Sequence, residues 1–328
     1  MNTAYLKAVS YYLPERVMTN AELVREFPEW TVEKVAKKVG IDQRHISAED
    51  EFVSDMAVKA AEKLFEEHKI DRNVVDFVML CTQSPDYFLP TTACIVQDRL
   101  GLPTSAGAID YNQGCSGYVY GLAMAKGLVS AGIAQNILLI TSEVYSKHIH
   151  KSDKGNRTIF GDAASASLIS TEGLAEIGQF ELGSDGSGFE NLIVKNGAMK
   201  SPKKSAAEAE DMDDFLYMNG SAIFNFTIDA VPGLVENTLK KNGVSEVDEM
   251  DWFVFHQANA FMLNHLRKRV GIDSEQFLMH MQACGNTVSA TLPIVLKNHW
   301  ERFRSGQKVM LVGFGVGYSW GGTVLSFK

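Results

Sequence analysis

Three short segments each carry a polar residue suited to carbon–carbon bond chemistry. They are Asn112-Gln113-Gly114-Cys115-Ser116-Gly117, Phe255-His256-Gln257-Ala258-Asn259 and Cys284-Gly285-Asn286-Thr287. Together they offer a thiol nucleophile, an imidazole and a carboxamide. Neither nitrogen-bearing group adds a formal charge at neutral pH, which suits acyl transfer followed by stabilisation of an enolate. Cys115 precedes a small-residue-rich apolar stretch, so it reads as a cysteine at a helix start, where the positive end of the dipole favours thiolate. Gly114 and Gly117 permit a sharp turn beside it. His256 follows an apolar run, at the carboxyl end of a strand, where α/β proteins place their ligands. A core histidine would occupy the same place, and a Gly-Asn pair alone is most often a turn. Cys81 and Cys94 read as buried structural thiols. Cysteine, histidine and asparagine also occur together in thiol hydrolases.

The elements that must position these residues follow from hydrophobic patterning. Asp76-Phe77-Val78-Met79-Leu80 resembles Asp251-Trp252-Phe253-Val254-Phe255, and Ile137-Leu138-Leu139-Ile140 resembles Val309-Met310-Leu311-Val312. Both pairs recur at an offset of about 170–175 residues, which predicts an internal duplication. Each run has the length of a strand buried on both faces. Helices are predicted over 54–67, 117–130, 258–270 and 291–303, with Gly117 and Gly121 allowing close packing on one face. Strands alternating with helices give an α/β class. The charged segment 200–214 reads as an exposed connection between the halves.

Composition excludes several function classes. The chain has 328 residues, of which 45% are hydrophobic and 22% charged, enough for a large core without disulfides. Its 4 cysteines form no CxxC pair, and His148 and His150 lack an evident third ligand, so no metal site is expected. A net charge of −9 argues against general nucleic-acid binding. No apolar run suggests a membrane span and no leader is apparent, so a cytoplasmic protein is expected.

The chain resembles the β-ketoacyl-acyl-carrier-protein synthase III family of the thiolase superfamily. The matching pieces are Cys115-Ser116-Gly117, Phe160-Gly161-Asp162, His256-Gln257-Ala258-Asn259, Gly285-Asn286-Thr287-Val288-Ser289-Ala290, Phe314-Gly315-Val316-Gly317 and Trp320-Gly321. The resemblance implies a thiolase fold, a five-layer αβαβα sandwich of two similar halves, 1–172 with the cysteine and 173–328 with the histidine and asparagine. It implies a homodimer. It also implies a decarboxylative Claisen condensation of an acyl-CoA with malonyl-acyl-carrier protein through an acyl-cysteine, with no cofactor.

In this resemblance Cys115 is the nucleophile, His256 and Asn286 hold the malonyl thioester oxygen, and the backbone N–H groups of Cys115 and Val316 form the oxyanion hole. Phe160 and Phe224 line the pantetheine channel, and Asn259 and Gly220 contact the arm. Lys154 and Lys38 lie by the coenzyme A nucleotide and its phosphates. Leu89 reaches across the dimer, and Arg267, Lys268 and Arg269 dock an acidic carrier protein. Phe261, Phe255, Ala283-Cys284 and Val316 depart from the family pattern, as does the region 26–38, so that Trp30 is not equated with a nucleotide-stacking tryptophan. These departures lead to the expectation of a specialised lipid or secondary-metabolite pathway, with fatty-acid initiation as the other possibility. An acyltransferase of the same fold, passing the acyl group to an alcohol or amine without decarboxylation, is the alternative.

Overall fold

The computed structural model describes residues 2–202 and 211–328. Ten strands form the central sheet. In chain order they are β1 (Tyr5–Tyr12), β2 (Phe77–Cys81), β3 (Gly107–Tyr111), β4 (Asn136–Glu143), β5 (Ala163–Ser170), β6 (Ala175–Ser184), β7 (Trp252–Phe255), β8 (Phe277–Leu278), β9 (Lys308–Gly315) and β10 (Ser319–Phe327). Their spatial order is β8-β7-β9-β10-β6-β1-β5-β4-β2-β3.

The order divides into two sets of five with the same wiring. In the first, β2 lies between β3 and β4 in parallel, and β4, β5 and β1 follow antiparallel. In the second, β7 lies between β8 and β9 in parallel, and β9, β10 and β6 follow antiparallel. The two repeated runs fall on equivalent strands, β2 with β7 and β4 with β9. The sets meet only where Tyr5 faces Glu176 and Leu6 faces Ala175.

Six helices matter for the site: α1 (Val32–Val39), α2 (Val53–His68), α3 (Gly117–Ser130), α4 (Gly220–Lys241), α5 (Ala260–Val270) and α6 (Thr291–His299). Helix α3 packs against strands of both sets, and α6 touches β1, β5 and β7, so these two form the middle layer. Helix α2 covers the outer face of the first set and α4 that of the second, completing the five-layer αβαβα sandwich of a thiolase fold. The residues dictate this placement. Helix α2 turns Met56, Ala57, Ala60, Ala61, Leu64 and Phe65 to one buried stripe and leaves Lys59, Glu62, Lys63 and Glu66 exposed. Helix α3 buries Tyr118, Val119, Leu122, Ala125 and Val129, as a middle-layer helix must. A Cβ on Gly117 would lie 2.4 Å from the Cys81 sulfur, and one on Gly121 would lie 2.2 Å from the Tyr111 hydroxyl. The close packing expected at these two positions is present.

Three expectations need correction. The segment 200–214 is not a connection between the halves: the chain passes from one set to the other between Ser170 and Ala175, and residues 203–210 lie outside the described residues. Cys94 is exposed rather than buried, because its side of the short helix Thr92–Arg99 faces away from the core. The helix predicted to reach residue 303 ends at His299 and tightens into a 3-10 turn at Trp300–Arg302. Among the described residues no helix is long and apolar enough to cross a membrane.

Candidate active site

The three polar residues meet. Cys115, His256 and Asn286 line one cavity of about 130 Å³, together with Phe160, Leu192, Met218, Gly220, Ile223, Asn259, Met262 and Phe314. Each is delivered by a different element. Cys115 sits in the turn between β3 and α3, His256 follows the carboxyl end of β7, and Asn286 lies in the loop before α6.

Cys115 is 6% exposed. Strand β9 passes so close that a Cβ on Gly315 would lie 2.7 Å from the Cys115 Cβ and 2.8 Å from its sulfur. Only a residue without a side chain leaves the thiol room there. Burial pushes the thiol up to about 12, with the Glu143 carboxylate acting in the same direction, while the backbone N–H groups of Val316 and Cys115 favour the thiolate. Burial thus acts against the thiolate expected from the helix start, and α3 begins only at Gly117. The two N–H groups expected to form an oxyanion hole do face the sulfur.

His256 is 2% exposed, and burial pushes its imidazole down to about 3, opposed by the Val288 carbonyl. The ring is neutral near pH 7. Its Nδ1 lies 2.8 Å from the Thr291 hydroxyl, and the Phe314 ring stands edge-on at 5.6 Å. Nε2 is left for the cavity. Asn286 is fixed by its neighbours: the Val288 N–H donates to its Oδ1 at 2.9 Å, so the amide N–H groups are left for the cavity. Its backbone pairs with the Phe160 segment, donating to Ile159 O at 2.9 Å and accepting from Gly161 N at 3.1 Å. This crossing requires two residues without side chains. A Cβ on Gly161 would lie 2.3 Å from the Cys284 carbonyl, and Gly285 has φ of +77°. Asp162 anchors the same segment by accepting from the backbone N–H groups of Ser47 and Ser146, each at 2.8 Å.

The other expected residues divide. Phe160, Gly220 and Asn259 line the cavity. The Asn259 carboxamide oxygen is already committed, accepting from Met262 N–H at the start of α5 at 2.9 Å. Phe224 does not line it; its half-buried ring packs against Phe261 and His265 of α5. A larger opening of about 330 Å³ shares Ile159 and Met218 with the cavity and is lined by Trp30, Lys38, Asp153 and Gly155. The Lys38 ammonium lies 5.7 Å from the Trp30 ring centre and that of Lys154 lies 6.0 Å from it. Lys154 also pairs with Glu29. Trp30, set aside at the level of sequence, thus stands at the mouth between both expected lysines.

A third hollow of about 700 Å³ adjoins Leu192 and is bordered by Gln83, Tyr87, Phe88, Tyr145 and Val316. Leu89 is 81% exposed at the tip of this loop. Arg267, Lys268 and Arg269 occupy the last turn of α5, at the opposite end from Asn259. Arg267 donates to Ile272 O at 2.9 Å and Arg269 to Ile228 O at 3.1 Å, so two of the three cations close off carbonyls. Among the described residues no group of three or more His, Cys, Asp or Glu side chains could hold a metal.

Sequence reasoning missed three contributors. Thr291 touches His256, and its place six residues after Gly285 gave no sign of this. Glu143, an acidic residue ending an apolar strand, is fully buried and accepts from Gln83 N–H, the Ser84 hydroxyl and the Ser289 hydroxyl. Burial pushes it up to about 8. Leu192 forms the wall shared by two hollows.

Comparison with known proteins gives one answer along the whole chain. Residues 109–186 match the family described as 3-oxoacyl-[acyl-carrier-protein (ACP)] synthase III, and residues 239–327 match its C-terminal part. A β-ketoacyl-[acyl-carrier-protein] synthase III of Clostridium perfringens is 34% identical, with 99% of each chain covered. One of Streptococcus gordonii is 35% identical over 99% of this chain and 100% of its own. A crystal structure of a 3-oxoacyl-(acyl-carrier-protein) synthase III has a TM-score of 0.94 at 47% identity, covering 99% of this chain and 100% of that one. The synthase of Burkholderia xenovorans has a TM-score of 0.92 at 35% identity, covering 99% and 94%.

Proposed function

Because the chain belongs to the β-ketoacyl-acyl-carrier-protein synthase III family, we propose that it condenses an acyl-CoA with malonyl-acyl-carrier protein, releasing CO2. The observation that carries this reading is the meeting of Cys115, His256 and Asn286 in one cavity. The Cys115 sulfur attacks the acyl thioester carbonyl. A C–S bond to the enzyme forms, the C–S bond to coenzyme A breaks, and the thiol proton leaves with coenzyme A. The tetrahedral oxyanion is held by the N–H groups of Cys115 and Val316. The malonyl thioester then binds with its carbonyl oxygen toward His256 Nε2 and Asn286 Nδ2. Its C–C bond to the carboxylate breaks, CO2 departs, and the electron pair forms an enolate on that oxygen. The enolate carbon attacks the acyl-cysteine carbonyl, forms the new C–C bond and expels the sulfur, which regains a proton. Splitting the condensation in two is covalent catalysis.

The pantetheine arm is read as passing Phe160 and Gly220 toward the mouth, where Lys38, Lys154 and Trp30 receive the nucleotide. Docking of the carrier protein at Arg267, Lys268 and Arg269 is retained as an expectation, with Lys268 as the cation not engaged with a carbonyl. The halves 1–172 and 173–328 are read as the two copies of the repeat. A homodimer is proposed on two features: β3 is an edge strand with Ile109 exposed, and Tyr87, Phe88 and Leu89 are solvent-facing beside an open hollow.

The full-length relatives favour the initiating condensation over a specialised pathway. Transfer to an alcohol or amine finds less support, because Asn286 has its oxygen engaged and offers only donors. Mass spectrometry after exposure to acyl-CoA is expected to show one acyl group on Cys115, lost in Cys115→Ala. Adding malonyl-acyl-carrier protein then releases CO2. Asn286→Ala is expected to leave acylation intact and to slow CO2 release by about 10²–10³-fold, the worth of one such donor at about 2.7–4 kcal/mol. A Cys115→Ala enzyme that condenses at the wild-type rate overturns the reading.

A further inference from the structure

We infer that Arg44 is a positioning residue for the decarboxylating step: its guanidinium ties the Phe160 segment to the strand pair beneath it and so holds the crossing that presents Asn286 to the cavity. This rests on the condensing reading above, in which Asn286 donates to the enolate oxygen. Arg44 lies in the short strand Gln43–Ile46, which pairs with Arg16–Thr19. It is fully buried, and its acceptors are all neutral. Nη1 donates to Asn20 Oδ1 at 2.9 Å and to Met18 O at 3.3 Å, and Nη2 donates to Thr158 O at 2.8 Å. Nε has no partner among the described residues. Burial pulls the group down to about 10, opposed by the Asp42 carboxylate, so it stays charged near pH 7. A buried ion is weak evidence for stability, and an apolar side chain of similar volume often serves a fold as well. What an apolar side chain cannot supply is the geometry.

Thr158 is followed by Ile159, whose carbonyl accepts the Asn286 N–H at 2.9 Å. The Arg44 bond therefore ends one residue from the bond that seats Asn286. The Arg44 Cβ lies 3.1 Å from the Cβ position of Gly161 and 3.2 Å from that of Gly285, so its stem packs on both loops of the crossing. Its neighbours hold the same two loops: Asp42 N–H donates to Gln282 O at 2.9 Å, and Asp162 N–H donates to His45 O at 2.8 Å. One nitrogen of the guanidinium reaches Met18 and Asn20 and the other reaches Thr158, so the planar fork spans the gap between them. A lysine ammonium keeps the charge but offers a single nitrogen for both ends. The Cys115 turn and β9 receive none of these bonds, so the nucleophile and its oxyanion hole do not hang on Arg44.

Measuring the two half-reactions separately tells positioning from a general loss of folding. Acylation of Cys115 by acyl-CoA is followed by mass spectrometry, and CO2 release by a single turnover of acylated enzyme with labelled malonyl-acyl-carrier protein. In Arg44→Lys, CO2 release is expected to fall about 10–10²-fold relative to acylation, the scale of a misplacement of about 1 Å. An enzyme that is only partly folded loses both half-reactions in equal proportion. Asn20→Ala keeps Arg44 and frees one end of its fork, and is expected to lower CO2 release relative to acylation by about threefold or more, the worth of one hydrogen bond. Where Arg44→Lys does not fold, Asn20→Ala decides. Equal falls in the two half-reactions, or no fall in either, in the deciding variant overturn the assignment. Failure of wild-type Cys115 to accept an acyl group would instead sink the condensing reading.

Discussion

Cys115 meets opposing influences, and their balance sets how it reacts. Dehydration raises the thiol to about 12, against the pull of two backbone N–H groups. Thiolate is thus a minor species near neutrality, and its fraction grows tenfold per pH unit below that value. Alkylation of Cys115 by iodoacetamide is expected to accelerate tenfold per unit from pH 7 to pH 10 without levelling. A plateau by about pH 9, the behaviour of an ordinary thiol, would show that burial does not dominate. The three polar side chains that meet in the cavity were legible in the sequence because each lies in a segment of polar or small residues interrupting an apolar pattern. The protonation states were not, since they depend on water excluded by residues from other elements. Thr291 was invisible for a related reason: its importance comes from a contact 35 positions away with His256.

At the scale of elements, the site depends on backbone crossings that leave no room for side chains. The segment around Phe160 crosses the Asn286 loop, and Gly161 faces the Cys284 carbonyl at a distance no Cβ tolerates. Gly161→Ala is expected to lower unfolding free energy by about 1–3 kcal/mol in urea titration and to reduce condensation, because the strain displaces Asn286. Gly127, exposed in α3 with nothing near its Cβ position, is the contrasting case. Gly127→Ala is expected to raise stability by about 0.5–1 kcal/mol with activity unchanged. Strand and helix positions were readable from periodicity, and α3 starts and ends where the apolar pattern does. Which glycines are obligatory was not readable, because a turn glycine and a crossing glycine look alike until two loops are superposed. The aromatic at position 224 shows the same gap, as a half-buried residue on the right helix whose ring packs against α5 instead of lining the cavity.

For the whole molecule, the prominent features are the edge strand β3 and the exposed loop at Tyr87, Phe88 and Leu89. An uncovered edge invites another strand, and a charged side chain placed on it discourages pairing. The protein is expected to elute in gel filtration at twice the chain mass, and Ile109→Lys at the mass of one chain with reduced turnover. Elution of the wild type as a monomer would remove the dimer. The repeated architecture could be inferred from two pairs of apolar runs, because strands buried on both faces keep their composition. The point of exchange between the sets could not, since only two residue pairs mark it. That narrow seam bears on how the site is kept. Sulfur comes from the first set of strands and the ring and carboxamide from the second, so the cavity exists only while the two sets stay in register, and the middle-layer helices α3 and α6, which touch both, are what hold them there.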